Sequence, residues 1–520
     1  MDYGILTLLP PALAIVLAFW TRNVLLSLFI AVLVGAVMLA GGDPVAGFVS
    51  ALSDYLFAKL GDPYNASIVL LMLLVGVFAT LLERGGGAIA MLRTVRDRVS
   101  TSRQGQLTTW LGGMVIWFSD SSNAVVLGPI VRPVTDRVRI SREKLAYLLD
   151  ATSATVPSLL PITAWGAFII GIIVESLPEG VSGMSTFIAS IPYHLYTIGV
   201  ILIVLVVALT GWDYGPMRAA EQRARTTGKL TRTAEAAAAP EDRAQLPEGA
   251  HPTLWGMVLP VLALIGTLFF LLWYTGSREE NLGLIDAVLG GSTMVGLVGG
   301  FLVACIVGTV YAVRAGSIPR RKVAQTWLDG CRSMVEVILI LVLAWSIGGI
   351  TSDIGAPDYI VGLTGADLSP AVVFLVIFLV AGTIAFATGS SWGTFAIVLP
   401  IAIPVALATD VALAPAIGAA VAGGVFGDHC SPISDTTILA SFGAGCDHLD
   451  HVRTQLPYAL TVASAAGVGY VVAGLTANAV LALGTTLAVA VLLTYVLSRW
   501  DRSRHPDQVR HDADLVSDAA

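Results

Sequence analysis

Residues 427–441 read GDHCSPISDTTILAS. Apolar segments flank the stretch on both sides, yet it holds two aspartates, a histidine, a cysteine, three serines, two threonines and a proline. The rest of the chain says what kind of segment this interrupts. The protein has 520 residues, is 56% hydrophobic and only 12% charged, and has a mean hydropathy of +0.81. A soluble domain carries about 25% charge. Runs such as GILTLLPPALAIVLAFW (4–20), NVLLSLFIAVLVGAVMLAG (23–41), TIGVILIVLVVALTGW (197–212) and LALGTTLAVAVLLTYVLS (481–498) approach the length that crosses a hydrocarbon core about 30 Å thick. The composition therefore predicts an all-α polytopic membrane protein, with 427–441 as a polar break inside a span. The first partner expected is the lipid bilayer.

The spans are expected near 4–20, 23–41, 65–83, 145–176, 192–212, 253–275, 286–313, 331–351, 412–443, 456–474 and 478–498, about 11 transmembrane helices in all. Two further apolar stretches, 106–131 and 371–406, are interrupted by FSDSSNAVV (118–126) and ATGSSWGTF (387–395). Each half reads as too short to cross alone, so both are expected as re-entrant hairpins with polar tips. Irregular backbone survives at that depth only where protein or a cavity surrounds it. With the N-terminus outside, 27 of the 29 basic residues fall on the inner face and only Lys59 and Arg278 outside. That bias is the one that orients membrane proteins. The C-terminus is then cytoplasmic, in the cell membrane. Segment 4–20 lacks a basic flank and a small-residue cleavage site and is expected as a retained span.

The halves echo each other. SSNAVVLGPIVRPV (121–134) aligns with SSWGTFAIVLPIAIPV (390–405) if two residues are inserted, and Asp150-x-x-Ser153 matches Asp428-x-x-Ser431. The expected organisation is two inverted-topology repeats with broken helices, an architecture of secondary transporters. Residues 1–212 form the first repeat and 253–475 the second. Residues 213–252 are read as a solvated cytoplasmic linker, 476–498 as an extra helix and 499–520 as a cytoplasmic tail.

The breaks carry the candidate chemistry. Pro432 lacks an N–H and opens its helix, freeing backbone groups that water cannot reach. Asp428, Ser431, Asp435 and Thr436 offer oxygens there, and hard cations prefer oxygen. The matching break, DATSATVPSLLP (150–161), offers Asp150, Ser153 and Thr155, with Pro157 and Pro161. The tips add Asp120, Ser121, Ser122 and Asn123 on one side, and Ser390, Ser391 and Thr394 on the other. A Na+ site is expected at Asp428, Ser431, Asn123 and Ser390. An intramembrane acid is a functional candidate by default, and one whose charge is costly can hold a cation or a proton in competition. Asp428 and Asp120 are the first choices; helix capping is the structural alternative for each acid.

Other signals are weaker. His429, Cys430, Cys446, His448 and His451 do not match a zinc-ligand spacing, and GCDHLDH (445–451) reads as a solvated inner helix end, separated from His429 by much of a helix. A pH-sensing role is the other reading of those histidines. The four cysteines show no disulfide spacing, and no GxxxxGK[ST] loop is present. No cofactor and no nucleic-acid partner is expected; a homodimer is left open. A hydrolase using Ser431 or Cys430 with His429 lacks an oxyanion signature. Glu336 either faces the bundle interior or snorkels, Trp392 either walls the site or packs, and ERGGG (83–87) reads as a helix stop.

ATGSSWGTFAIVLPIA followed by GDHCSPISDTTILAS closely resembles the NhaC-type sodium/proton antiporters of the ion-transporter superfamily, and RPVTDRVRISREKLAYLLDATSA (132–154) resembles their first-half counterpart. The resemblance runs from about residue 75 to 460. It implies exchange of Na+ for H+, an inverted-repeat fold with hairpins, and an elevator-like motion of the hairpin-bearing domain. The family's first hairpin often carries consecutive acids where this chain has Ser119-Asp120, which bears on stoichiometry. The family also resembles exchangers of organic solutes, including malate/lactate-type antiporters. A Na+- or H+-coupled exchanger of an organic anion or amino acid is thus the second expectation; no enzymatic activity is expected.

Overall fold

The computed structural model describes residues 3–87, 89–90, 99–178, 181–232, 250–278, 287, 291–356, 359 and 369–504. Every regular element among them is helical, as lipid demands, because a helix satisfies its own backbone polar groups. Ten helices are long and apolar enough to cross a membrane, or eleven if Val24–Leu39 and Pro44–Gly61, bent by 118°, form one span. The chain is a multi-pass membrane protein. Helix Pro63–Gly85 shows how such a span is delimited. Asp62 accepts from the N–H groups of Tyr64 and Asn65, each at 2.9 Å, Pro63 takes the first helical position, and Gly86 ends the helix at φ +74°. Its 23 residues extend about 34 Å.

The interrupted stretch at 106–131 doubles back on itself. Helix Ser102–Val115 leads to a turn, and from Asp120 to Arg137 the chain is helical again, with a π-helical turn at Asn123–Leu127. The Arg137 guanidinium donates to the Val99 carbonyl at 2.6 Å, so the two ends of the stretch meet. In the second stretch, helices Pro370–Thr388 and Ser391–Ala408 are joined through Gly389, at φ +67°, and Ser390. Phe378 and Gly382 lie beside Gly423 and Gly427 in the same chain sense. Ser391 and Phe395 lie beside Asp428 and Gly424 in the opposite sense. The two arms are therefore antiparallel. They are not too short to cross, as expected from sequence: with 19 and 18 residues they extend about 28 and 27 Å. Most of the polar cluster in ATGSSWGTF occupies the connection and the first turn of the second helix, so it hardly shortens either arm.

Two other helices break where the prolines stand. One appears as Arg142–Ser153, Thr155–Ser158 and Ala164–Ser176, the other as Leu413–Cys430 and Asp435–Ala444. Ser434 and Thr163 cap the restarted pieces, accepting from the N–H groups of Thr437 (3.4 Å) and Gly166 (3.0 Å). The second break is held by backbone contact. A Cβ on Gly427 would lie 2.0 Å from the Gly382 carbonyl oxygen, and one on Gly443 2.1 Å from that of Ala124. Only hydrogen fits at these crossings.

Two expectations need correction. The start of 213–252 is not a solvated tether. Gly215–Thr227 is a helix whose Glu221 accepts from the Ser141 N–H and hydroxyl, both at 2.8 Å, while Arg223 grips Glu143 at 2.8 Å. Just before it, Asp213 accepts from Lys144 at 2.6 Å and Tyr458 at 2.8 Å. Side chains that looked free in sequence find charged partners in the first turn of helix Arg142–Ser153. Residues 233–249, like 505–520 of the tail, lie outside the described residues, and the last helix runs on to Arg504. Of the histidines of GCDHLDH, His451 is also not at a solvated helix end. Helix Asp435–Ala444 has only 10 residues, so the chain turns back early and brings His451, 0% exposed, inside the bundle.

Candidate ion-binding cavity and the acids behind it

The two polar tips meet. A cavity of about 300 Å³ is lined by Phe118–Ser121 of the first tip, Ser390 and Trp392 of the second, Asp435 of the second break, and Ala164 and Trp165 after the first. Glu83 and Glu336 complete its acidic lining, and among the described residues no lysine or arginine lines it. Four helices begin at this space, at Asp120, Ala164, Ser391 and Asp435. Their N-terminal dipole ends carry partial positive charge. The aromatic wall is built from both halves: Trp165 and Trp392 lie 4.8 Å apart between ring centres, and Phe168 meets Trp392 edge-on at 5.1 Å.

Asp120 sits at the first tip. Its Oδ1 accepts from the Ser121 N–H at 2.7 Å and its Oδ2 from the Trp165 indole at 3.1 Å. Asp435 is exposed to the cavity, with Oδ1 accepting from the Thr436 N–H at 2.9 Å. Ser121 is exposed and Ser390 half-buried; the Ser390 hydroxyl caps Gly393 at 3.3 Å. Asp428 lies behind the wall, 2% exposed. Its Oδ2 accepts from the Ser391 hydroxyl at 2.9 Å, and its Oδ1 has no hydrogen-bond partner. The Asn123 Oδ1 is likewise buried and unpartnered, while its amide nitrogen donates to Thr152 at 3.0 Å. Buried acceptors without donors are rare and call for an explanation such as a bound cation.

Several candidates are committed locally. Ser153 donates to the Asp150 carbonyl (2.9 Å), Thr155 to Ala151 (2.6 Å), Thr394 to Ser390 (2.9 Å) and Ser431 to Phe386 (2.8 Å). Thr436 pairs with the Ser434 hydroxyl at 3.0 Å. The bonds of Ser153, Thr155 and Thr394 are the back-bonds of hydroxyls in apolar helices, whereas Ser431 reaches across to another helix. The Ser122 side chain lies outside the described atoms. Asp428, Ser431, Asn123 and Ser390 share no hydrogen bond among the described contacts. Among the described residues, no cluster of histidine, cysteine and acids has a metal-binding arrangement.

Asp150 stands apart from the cavity, 1% exposed. Its Oδ2 accepts from Thr437 (3.0 Å) and from the Gln455 amide (2.6 Å), and the Nε2 atoms of His429 and His451 each lie 4.0 Å away. Gln455 and Trp165 were not legible as site residues, because their roles arise from contacts far along the chain. Glu83 was hidden in a segment read as a helix stop. That stop is present at Gly85–Gly86, and the acid still reaches the cavity. A larger cavity of about 670 Å³ lies at other helix ends, where the Lys59–Glu175 ion pair and the Tyr55–Asp353 hydrogen bond satisfy its charged groups.

The comparisons agree with this architecture. An uncharacterized protein of Haemophilus influenzae is 34% identical over 508 residues, covering 95% of both chains. A malate-2H(+)/Na(+)-lactate antiporter of Bacillus subtilis is 29% identical over 129 residues, covering 25% of this chain and 28% of that one. The crystal structure of the Alcanivorax borkumensis YdaH transporter superposes with a TM-score of 0.55 at 18% identity, covering 86% of this chain and 89% of that one; this likeness concerns the fold. Residues 158–475 match the Na+/H+ antiporter family. A polytopic helical bundle with paired polar breaks, matched over most of its length, is a secondary transporter, and this chain belongs to the Na+/H+ antiporter family.

Proposed function

We propose that the protein exchanges Na+ for H+ across the cell membrane by alternating access, with its N-terminus outside. The observation that carries this reading is the cavity where both tips converge: among the described residues, four carboxylates line it and no basic side chain does. Such a lining attracts a small cation. Asp120 and Asp435 face the space, and Asp428, one hydroxyl behind it, keeps an oxygen without a donor. A cation or a proton satisfies these acids, in competition. In this reading the doubled-back stretches are re-entrant hairpins of two inverted repeats, and they carry the site as the transporter changes face.

One observation favours a second reading. The helix starts that surround the cavity suit an anion, and one relative is named for malate and lactate. An organic carboxylate held at the tips beside Na+ would use both features. Proteoliposomes with an imposed pH gradient decide between them. Dissipation of the gradient by NaCl alone supports cation–proton exchange. Dissipation that needs malate or lactate together with Na+ supports the organic-anion reading.

A further inference from the structure

Behind the cavity lies a chain of buried groups that is one proton short. The His448 Nε2 faces the Pro432 carbonyl at 2.6 Å, and a carbonyl only accepts, so this nitrogen carries hydrogen. Gln455 donates its amide to the His429 carbonyl (2.6 Å) and to Asp150 (2.6 Å), which leaves its oxygen towards His451 Nε2 at 2.9 Å. That nitrogen carries hydrogen as well. The Nδ1 atoms of His448 and His451 both turn to one hydroxyl, Ser441, at 3.1 and 2.8 Å. Ser441 has a single proton, and the Thr437 carbonyl at 2.7 Å also asks for it. With both imidazoles neutral, two lone pairs compete for that proton. One added proton, on His451 or His448, turns the opposed contact into a hydrogen bond.

The charge balance asks for the same proton. Asp150 is buried, and among the described residues the basic groups within 4.0 Å of its carboxylate are His429 and His451. Lys144 and Arg142 on the same helix are bound to Asp213 (2.6 Å) and Asp136 (2.7 Å). A buried carboxylate without a cation is costly. The other titratable groups near Asp150 are Tyr196 on Leu195–Thr210, Asp428 and Cys430 on Leu413–Cys430, and Asp435 at the next helix start, none of them basic. His429 and His448 are the titratable neighbours of His451 besides Asp150, and the guanidinium groups of Arg132 and Arg142 flank Gly445 ahead of the histidines' helix. Asp447 and Asp450 begin the histidines' own helix, and Asp450 pairs with Arg232 at 3.1 Å.

We infer that the His448–Ser441–His451–Gln455–Asp150 chain is a proton-binding site separate from the cation cavity. It holds one proton as an imidazolium facing Asp150. The site is coupled to the cavity through Thr437, which donates to Asp150 two residues after Asp435, and through Gln455, which holds the carbonyl next to Asp428. A positive charge there opposes cation entry, and cation binding expels the proton. This coupling rests on the exchange reading; the proton site itself does not.

Solid-state NMR of the full chain in lipid bilayers, with 15N-labelled histidine and no Na+, tests the site directly. At about pH 8 a solvated histidine, with a pKa of about 6.5, is only a few per cent charged. One imidazolium per chain is expected there, lost in His451→Gln and in Asp150→Asn. Neutral rings throughout from about pH 8 down to about pH 6, apart from the solvated histidines, overturn the proposal. So does an imidazolium that survives both substitutions. His448→Gln serves if His451→Gln fails to fold, with the same loss expected. Calorimetry of Na+ binding then reads the coupling. Wild-type affinity should fall about tenfold per pH unit as protons fill the site, and His451→Gln should remove that slope. If the wild type binds no Na+, the exchange reading fails while the imidazolium signal still decides the proton site.

Discussion

The two broken helices carry the same Asp-x-x-Ser signature and end in opposite states. At the first, Asp150 is saturated by protein: Thr437 and Gln455 donate to its Oδ2, and two imidazoles flank it. At the second, Asp428 has the Ser391 hydroxyl on one oxygen and nothing on the other. The serines diverge in the same way. Ser153 bonds the carbonyl of Asp150 on its own helix, whereas Ser431 reaches across to the Phe386 carbonyl at 2.8 Å. An internal echo in sequence therefore fixes where helices break, not what fills the break. In the reading proposed above, the filled break serves as scaffold and proton store, and the unfilled one as the place for a cargo ion.

The comparison is sharpest at the acids themselves. Asp428→Asn should reduce Na+-driven proton flux in proteoliposomes to the level of protein-free vesicles, with little change in melting temperature, because the amide still fits beside Ser391. Asp150→Asn should leave flux measurable and change its pH dependence. Equal loss in both variants breaks the distinction between them. The next largest effect belongs to a region where charges are fully paired. Lys144 and Asp213 are both buried, and removing one partner leaves an uncompensated charge. Lys144→Ala should cost about 3–5 kcal/mol, read as a large fall in melting temperature in detergent. Lys144→Met combined with Asp213→Leu should recover much of that loss, whereas no second substitution should rescue Asp428→Asn. A smaller loss is expected from Gly427→Ala. Its methyl group would press on the Gly382 carbonyl and the Ala385 side chain; overpacking of this kind costs about 1–3 kcal/mol. Because Gly427 adjoins Asp428, flux should fall along with stability.

Much of this was legible because lipid makes polar residues conspicuous. Gly, Pro, Ser and Asp inside apolar runs marked both breaks and both tips, and the tips do meet around Asp120 and Ser390. What the sequence could not show are partners brought in by tertiary structure. Trp165 reaches Asp120 across 45 residues and Gln455 reaches Asp150 across 305. A tryptophan or a glutamine at such positions looks like ordinary packing. The short second helix, Asp435–Ala444, explains the misplaced histidines: an early turn moved His451 from an expected surface into the interior. The helix Gly215–Thr227 was misread for a related reason. Its alanines and charges suit a tether as well as a docked helix, and only its partners at the start of helix Arg142–Ser153 distinguish the two.

The finest test of the two breaks removes one hydroxyl from each. Ser391→Ala deletes the hydroxyl that donates to Asp428 Oδ2 at 2.9 Å, leaving Ser434 as its remaining hydroxyl neighbour. A hydrogen bond to a charged group is worth about 1.5–3 kcal/mol, so the Na+ concentration for half-maximal flux should shift by about tenfold or more. Thr437→Ala deletes one of the two donors to Asp150 Oδ2, and Gln455 remains. The loss there should be about 1 kcal/mol of stability, with the half-maximal Na+ concentration moving by less than about threefold, equivalent to about 0.6 kcal/mol. If Thr437→Ala moves the Na+ response as far as Ser391→Ala does, the Asp150 break is itself part of the cation path. The division between a filled and an open break must then be abandoned. If only Ser391→Ala moves it, the ion is read through Asp428, and the oxygen left without a donor is the one it binds.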